Sequence, residues 1–347
     1  MNGLLLEGRL IVVVGAGGVG KTTLAAALAL GSARKGQRTL AMTFDPSLRL
    51  KDALGVGEGA KDEPLRVMKA GSGFLDVALL DAKRTFDRLI QSYAPDTDAA
   101  ERIFSNRFYQ DMAGTLAGIL EYMAMERLFE MQASGRYDRI ILDTPPTRQA
   151  MDFLQAPERM MNLVDSKAIR FAMDPWWDGK GKKNLAFRLA AQGAMELSDR
   201  IIGRRFLLEV VEFIRAFAPL FAGFRSRAEE VRNLLKADTT RFLLVAGPGS
   251  DRVPDAMFFL RKLKESGHHL GPILVNQVHP DPGEELGNDP GMALLRFLAS
   301  RDQHGLAQLR RLFPGEQAIL PVPLEPLPPA DLGALGLLFE KLSTIQL

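Results

Sequence analysis

Gly15-Ala16-Gly17-Gly18-Val19-Gly20-Lys21-Thr22 is the stretch that decides the fold, because its flanks read as a strand before it and a helix after it. Residues 9–14 form a short, β-branched apolar run, the pattern of a strand buried on both faces. Residues 21–34 are rich in Ala and Leu and stop at Gly36, which predicts a helix with a glycine C-cap. A second apolar run, 38–44, ends at Asp45-Pro46. Strand, loop, helix, strand opens a βαβ unit, and its crossover implies a parallel sheet. In that context the glycines let successive backbone N–H groups curl around phosphates, and the helix N-terminus adds its partial positive charge. Lys21 would reach the β- and γ-phosphates of a nucleotide, and the Thr22 hydroxyl would ligate Mg²⁺. A glycine-rich turn without a ligand is the alternative.

Outward from this loop, short apolar runs recur at 74–80, 139–142, 241–246, 272–276 and 318–320, separated by helical stretches. Strands from both ends of the chain therefore build one sheet. Between 149 and 236 no strand candidate occurs. That segment reads as helical, interrupted by a Gly- and Lys-rich loop around Trp176 and Trp177. The expected organisation is an N-terminal part of the core at 1–148, with a helical segment at about 83–134. A helical subdomain at 149–237 and a C-terminal part of the core at 238–347 follow.

Composition removes several classes. Among 347 residues, 44 basic and 42 acidic side chains leave a net charge of +2, without the basic footprint of a nucleic-acid-binding surface. There is no cysteine, so disulfides and thiolate metal sites, structural zinc included, are excluded, and a reducing cytoplasm is the expected compartment. No uncharged apolar run approaches the roughly 18 residues that span a bilayer, and Glu7 and Arg9 interrupt the apolar N-terminus. A membrane role would be peripheral or exercised through a client.

Residues 139–143 form an apolar run ending in Asp143, which is what a Walker B element requires: an acid at the sheet edge facing the metal and its waters. In Thr144-Pro145-Pro146-Thr147 two prolines stiffen the backbone after it, either as a lever that senses the γ-phosphate or as a simple rigid turn. Asp45 ends the second strand, where it would orient the attacking water and meet Mg²⁺ through water; a turn or N-cap aspartate is the alternative.

Taken together, the loop with Thr23, Phe44-Asp45-Pro46-Ser47, Asp143-Thr144-Pro145-Pro146-Thr147 and Val275-Asn276 resembles the ArsA-type ATPases. That family holds the arsenite-pump ATPase, the ATPase that targets tail-anchored proteins, and a bacterial branch. Leu80-Asp81-Ala82-Lys83-Arg84-Thr85-Phe86, Glu121-Tyr122-Met123-Ala124-Met125-Glu126, Asp152-Phe153-Leu154-Gln155-Ala156-Pro157 and Asn276-Gln277-Val278-His279-Pro280 favour the bacterial branch. The resemblance implies an α/β fold of the P-loop NTPase, deviant-Walker-A type: a mostly parallel sheet flanked by helices, with a helical subdomain. It also implies a dimer with one ATP per subunit, hydrolysed to ADP with Mg²⁺. Asp45 would position water, Asp143 would be the Walker B acid meeting Mg²⁺ through water, Asn276 would hydrogen-bond the adenine, and Pro323 would line the base pocket. An apolar client helix or a membrane protein is the implied partner.

Two departures from the family pattern matter. The family's loop carries a lysine after the first glycine, which reaches across to the neighbour's phosphates; here that position is Ala16. Another residue substitutes, hydrolysis is slow, or a paralogue bearing the lysine completes a heterodimer. The missing cysteines also remove the pump's thiolates and the zinc site that ties the targeting dimer together.

Phe206, Val210, Phe213, Phe217, Leu220 and Phe224 lie at helical spacing, and Pro219 should bend or end that helix. Met112, Met123, Met125, Met131, Met151, Met160, Met161 and Met173 cluster nearby. An ATP-gated groove for an apolar helix is one reading. Packing among the helices is the commoner use of such a stripe. His268, His269, His279 and His304 lack metal-ligand spacing and read as surface or structural.

Overall fold

The computed structural model describes residues 5–44, 49–55, 63–106, 109–110, 119–145, 147–166, 213–283, 289–313 and 318–345. Along the chain run β1 (Leu10–Gly15), α1 (Lys21–Arg34), β2 (Arg38–Thr43), α2 (Arg49–Ala53), β3 (Leu65–Ala70), β4 (Gly73–Leu79), α3 (Ala82–Tyr93), α4 (Thr97–Ser105) and α5 (Ile119–Ala133). Then come β5 (Arg139–Asp143), α6 (Thr147–Val164), α7 (Phe221–Leu235), β6 (Thr240–Ala246), α8 (Val253–Glu265), β7 (Leu270–Val278), α9 (Pro290–Leu312), β8 (Ile319–Pro323) and α10 (Leu332–Thr344). The chain divides into two compact units, one of Met1–Asp81, Arg127–Asp152 and Asn233–Leu347, the other of Ala82–Glu126 and Phe153–Arg232.

The first unit holds an eight-stranded sheet of order β3-β4-β2-β5-β1-β6-β7-β8, parallel throughout except for β3 against β4. All six residues of β1 are buried, as a continuous apolar run at the middle of a parallel sheet must be. The fold class implied by the sequence is thus the observed one: α/β, mostly parallel, with strands contributed from both ends of the chain. β3 was not among the expected strands. Its sequence, Leu-Arg-Val-Met-Lys-Ala, is largely exposed and charged because it pairs on one side only. Arg66 of β3 is ion-paired to the buried Asp76 and its guanidinium lies 3.6 Å from the Phe74 ring centre, contacts that add to the β4 ladder and to Val67 and Met68, which pack against the core.

α1 is apolar nearly all round because it is covered on nearly all sides. Its buried Ala and Leu residues meet the strands on one side and Leu335, Leu338, Phe339 and Leu342 of α10 on the other. Gly31 permits the closest approach: a Cβ there would fall 2.3 Å from the Phe339 ring.

The second unit is helical where described. Its core gathers Phe86, Leu89 and Ile90 of α3, Tyr122 and Met123 of α5, Met160 and Met161 of α6, and Phe217, Leu220 and Phe224. Phe217 lies 5.5 Å from Phe86 and 5.4 Å from Phe224 between ring centres, the spacing of favourable aromatic pairs. The described part of the apolar stripe is therefore core. Phe206, Val210, Met112, Met173, Trp176 and Trp177 lie outside the described residues. At Pro219 the helix tightens into a 3₁₀ turn, Ala218–Leu220, before α7 resumes, as a proline that lacks an N–H requires. Within this core the fully buried Tyr122 places its hydroxyl 3.3 Å from the Glu126 carboxylate, which in turn receives Arg227 at 2.8 Å. Burial and that carboxylate push the Tyr122 hydroxyl far above its usual range. No helix among the described residues is long and apolar enough to cross a membrane.

Candidate functional site

The carboxyl ends of parallel strands are where α/β sheets place their ligands, at the point where strand order reverses. Here that point is β1, from which the chain runs to β2 on one side and, later, to β6, β7 and β8 on the other. Gly15 ends β1 with φ 156°, and a Cβ there would fall 2.1 Å from the Val245 carbonyl of β6. Only glycine lets the chain leave the strand at this place. Gly18 and Gly20 have φ of 77° and 86°, the left-handed region that glycine occupies without penalty. Gly20 is also the N-cap of α1 and offers no side chain to occupy its first-turn N–H groups. The loop is an uncapped, positively polarised helix start with exposed glycine backbone at Gly17 and Gly18.

Lys21 is buried to 7% exposure, and its Nζ donates to the Ala16 carbonyl at 2.9 Å, so the ammonium lies curled against its own loop. Thr22 donates its hydroxyl to Asp143 Oδ2 at 2.8 Å, and Thr43 at the end of β2 donates to the same oxygen at 3.3 Å. Register explains the convergence. β5 pairs with both β1 and β2, setting Asp143 opposite Val13 on one side and Thr43 on the other. Asp143 is only 1% exposed. The next residue, Thr144, is anchored by donating its hydroxyl to the Val13 carbonyl at 2.8 Å. Pro146 lies outside the described residues, as does Asp45.

A cavity of about 440 Å³ opens over this group, lined by Gly17, Gly18, Gly20, Lys21, Thr22, Thr23 and Thr144 together with Asp52, Ala53, Pro329 and Ala330. A smaller one of about 120 Å³ adjoins it at Gly20 and Thr23 and brings in Asn276, Gln277, Pro323, Leu324 and Pro328. Gly17, Gly18, Gly20, Lys21, Thr22 and Thr23 thus share one cavity, which the buried Gly15 does not line, while Asn276 and Pro323 share the second. Val19 is buried, and its carbonyl accepts from Asn276 Nδ2 at 2.8 Å. Asp52, Pro329 and Ala330 escaped the sequence reading. No spacing marks them; Asp52 reaches the loop through the packing of α2 on α1, and Pro329 and Ala330 through that of α10 on α1.

On the outer face of Gly17–Val19 a third cavity, about 420 Å³, is lined by Arg252, Gln277, His279 and Arg301. Its far wall is held by Asp302 of α9, which is fully buried. Asp302 accepts from the His279 backbone N–H at 3.0 Å, meets the His279 ring nitrogen Nδ1 at 2.7 Å, and accepts from Arg301 at 2.9 Å. Burial alone would raise this carboxyl, but the His279 and Arg301 hydrogen bonds outweigh it and hold the group below the usual carboxylate range. His279 is thus a structural histidine, and His268, packed 4.6 Å from the Phe242 ring, is another.

Residues 8–178 match the anion-transporting ATPase family. The chain is 30% identical over 282 residues to ATPase get3 of Neurospora crassa, covering 80% of this chain and 75% of that protein. It is 24% identical over 276 residues to a putative arsenical pump-driving ATPase of Chlorobaculum tepidum, 78% of this chain and 61% of the other. Protein Rv2184c of Mycobacterium tuberculosis is 34% identical over 169 residues, 45% of this chain and 39% of its own. The chain thus spans less than two thirds of the length of the last two relatives.

Proposed function

The chain belongs to the ArsA-type, anion-transporting ATPase family, and from that premise we propose that it is an Mg²⁺-dependent ATPase acting as a dimeric, nucleotide-operated switch. The observation that carries this reading is the hydrogen bond from Thr22 to Asp143, which ties the helix after the glycine loop to the acid at the end of β5. Those are the two side chains a P-loop site needs around its metal, and the uncapped start of α1 supplies amides for the phosphates. The residues therefore fit the group.

In this mechanism Gly15, Gly17, Gly18, Val19, Gly20, Lys21, Thr22 and Thr23 wrap the phosphates, and Lys21 exchanges the Ala16 carbonyl for the β- and γ-phosphate oxygens. Thr22 would hold Mg²⁺ directly, with Asp143 and Asp45 behind its waters. Held there, Mg²⁺ would supply positive charge against the phosphates. Asp45 orients the water that attacks the γ-phosphorus; the bridging P–O bond breaks, releasing ADP and phosphate. Asn276 and Pro323 take the adenine. Most of the rate enhancement is positioning and electrostatics, since the protein forms no covalent bond.

With alanine at position 16, two assemblies are proposed: a homodimer in which another group supplies the missing charge, or a weakly hydrolysing subunit paired with a lysine-bearing paralogue. The helical unit is the proposed reader of nucleotide state and the contact for an apolar helix client or membrane partner. Energising a membrane transporter is the alternative task.

The test is ATP hydrolysis with Mg²⁺ by the purified chain over a wide range of protein concentration, alongside Lys21→Ala. Activity per subunit that rises and saturates supports the homodimer. Binding without turnover at every concentration supports the paired subunit. Lys21→Ala should lose ATP binding by about a hundredfold or more; retained affinity would reject the site.

A further inference from the structure

The third cavity, on the outer face of Gly17–Val19, takes no part in the nucleotide binding proposed above. Its volume of about 420 Å³ is that of a small-molecule site, and its polar side chains are Asp251, Arg252, Gln277, His279 and Arg301. The walls are built before any ligand arrives. α9 lies so close to the turn at 247–249 that a Cβ on Gly305 would fall 2.0 Å from the Pro248 carbonyl. One turn earlier in the same helix, the fully buried Asp302 holds His279 through Oδ2 and Arg301 through Oδ1. The end of β7 and the arginine are thereby fixed to one carboxylate. Gln277 has φ 63°, the one positive φ outside glycine among the described residues, a conformation that carries a cost and persists where its surroundings hold it.

The cations of this cavity keep donors in reserve. Arg301 places Nε and Nη2 on Asp302 at 3.2 and 2.9 Å, which leaves Nη1 for a ligand. Arg252 meets Asp251 through Nε at 3.3 Å, in a pair exposed to 49% and 74%. An exposed pair of that kind contributes little and yields to a better-placed anion. His279 commits Nδ1 to Asp302 and keeps Nε2. Asp302 itself is buried behind the wall, so Asp251 at the rim is the one carboxylate among the lining residues. Two planar guanidinium forks on one cavity match the several equivalent oxygens of a phosphate group, which each can bind through paired N–H donors. We propose that this cavity is a second oxyanion site, separate from the one over Lys21 and Thr22, that takes the phosphate group of a small molecule on Arg252 and Arg301. Gly17, Gly18 and Val19 form its other wall, so an occupant borders the glycine loop from outside. The site stands on its own residues and does not need the nucleotide reading.

The experiment titrates inorganic phosphate, and separately glycerol 3-phosphate, into the full chain carrying Lys21→Ala, which disables the glycine-loop site, and follows binding by calorimetry. Phosphate should still bind. Adding Arg252→Gln or Arg301→Gln should weaken it about tenfold, the loss of a charge-assisted hydrogen bond. Should Arg301→Gln fail to fold, because it strips a partner from buried Asp302, Arg252→Gln decides, since it disturbs only an exposed pair. Tighter binding of glycerol 3-phosphate than of inorganic phosphate assigns a phosphomonoester; equal or weaker binding assigns free phosphate. No phosphate binding to Lys21→Ala, or affinity within twofold after Arg252→Gln, would overturn the site. ATP binding with Mg²⁺ to Arg252→Gln alone, expected within twofold of the parent, keeps the two sites apart, and a tenfold fall there would merge them and sink the proposal. A parent that binds no ATP, while phosphate still answers to the arginines, would remove the nucleotide reading and leave this one standing.

Discussion

At the carboxyl ends of β1 and β5 the side chains of the candidate site converge on open cavities, whereas in the helical unit the described aromatic and apolar residues of the stripe are turned into that unit's own core. Lys21, Thr22 and Thr144 line solvent-accessible space; Phe217, Leu220, Phe224 and Met123 do not. The contrast shows how to read conspicuous residues. A glycine spacing that is costly for folding signals a ligand, because a loop with φ above zero and no side-chain cap has little else to gain. An apolar stripe at helical spacing lowers free energy by burial alone and needs no ligand to explain it.

The contrast breaks most visibly if the helical core also governs the nucleotide site. Phe224→Ala removes a ring that is 1% exposed and packed among other aromatics, and should cost about 4 kcal/mol by denaturant unfolding, with ATP affinity within twofold of the parent. A fall in ATP affinity matching the lost stability would erase the distinction between the two regions.

A polar residue of the sheet unit gives a smaller and pH-dependent effect. Asp302→Asn should destabilise by about 2 kcal/mol at neutral pH, discounted because Arg301 is 46% exposed. The sign follows from the carboxyl being held below its usual range in the fold. Its contribution is complete above the ordinary carboxylate range and is lost as pH falls through the lowered value. Urea unfolding of parent and variant should therefore converge on acidification; a constant gap down to strongly acid pH would mean that the Asp302 charge does not hold this wall.

The smallest effect sharpens the site itself. Thr43→Val deletes a hydroxyl that donates to Asp143 Oδ2 and should cost about 1 kcal/mol of stability. If Asp143 serves the metal, the Mg²⁺ concentration needed for half-maximal hydrolysis should rise two- to threefold. An unchanged Mg²⁺ requirement would reduce Thr43 to a packing residue.

Much of the sheet was legible because its signals are local. A buried parallel strand is a continuous apolar run, and β1, β2, β4, β5, β6, β7 and β8 each contain one. β3 was illegible for the same reason, since exposed Arg66 and Lys69 break the run at a sheet edge. In the candidate site, Gly15 to Thr23 could be named from spacing, and Asp143 from its place after an apolar strand. Asp52, Pro329 and Ala330 could not, because nothing next to them in the chain records their approach to the loop.

By itself the amino-acid sequence determined the glycine loop between strand and helix, the parallel α/β class and the family resemblance, because backbone sterics at glycine and period-two or helical burial act over a few neighbouring residues. The tertiary structure alone decided that Thr22 and Thr43 meet on one oxygen of Asp143, that Asn276 turns its amide nitrogen to Val19, and that Phe217 and Phe224 face inward. Those contacts join residues far apart in the chain, and only strand register and helix packing bring them within hydrogen-bonding reach.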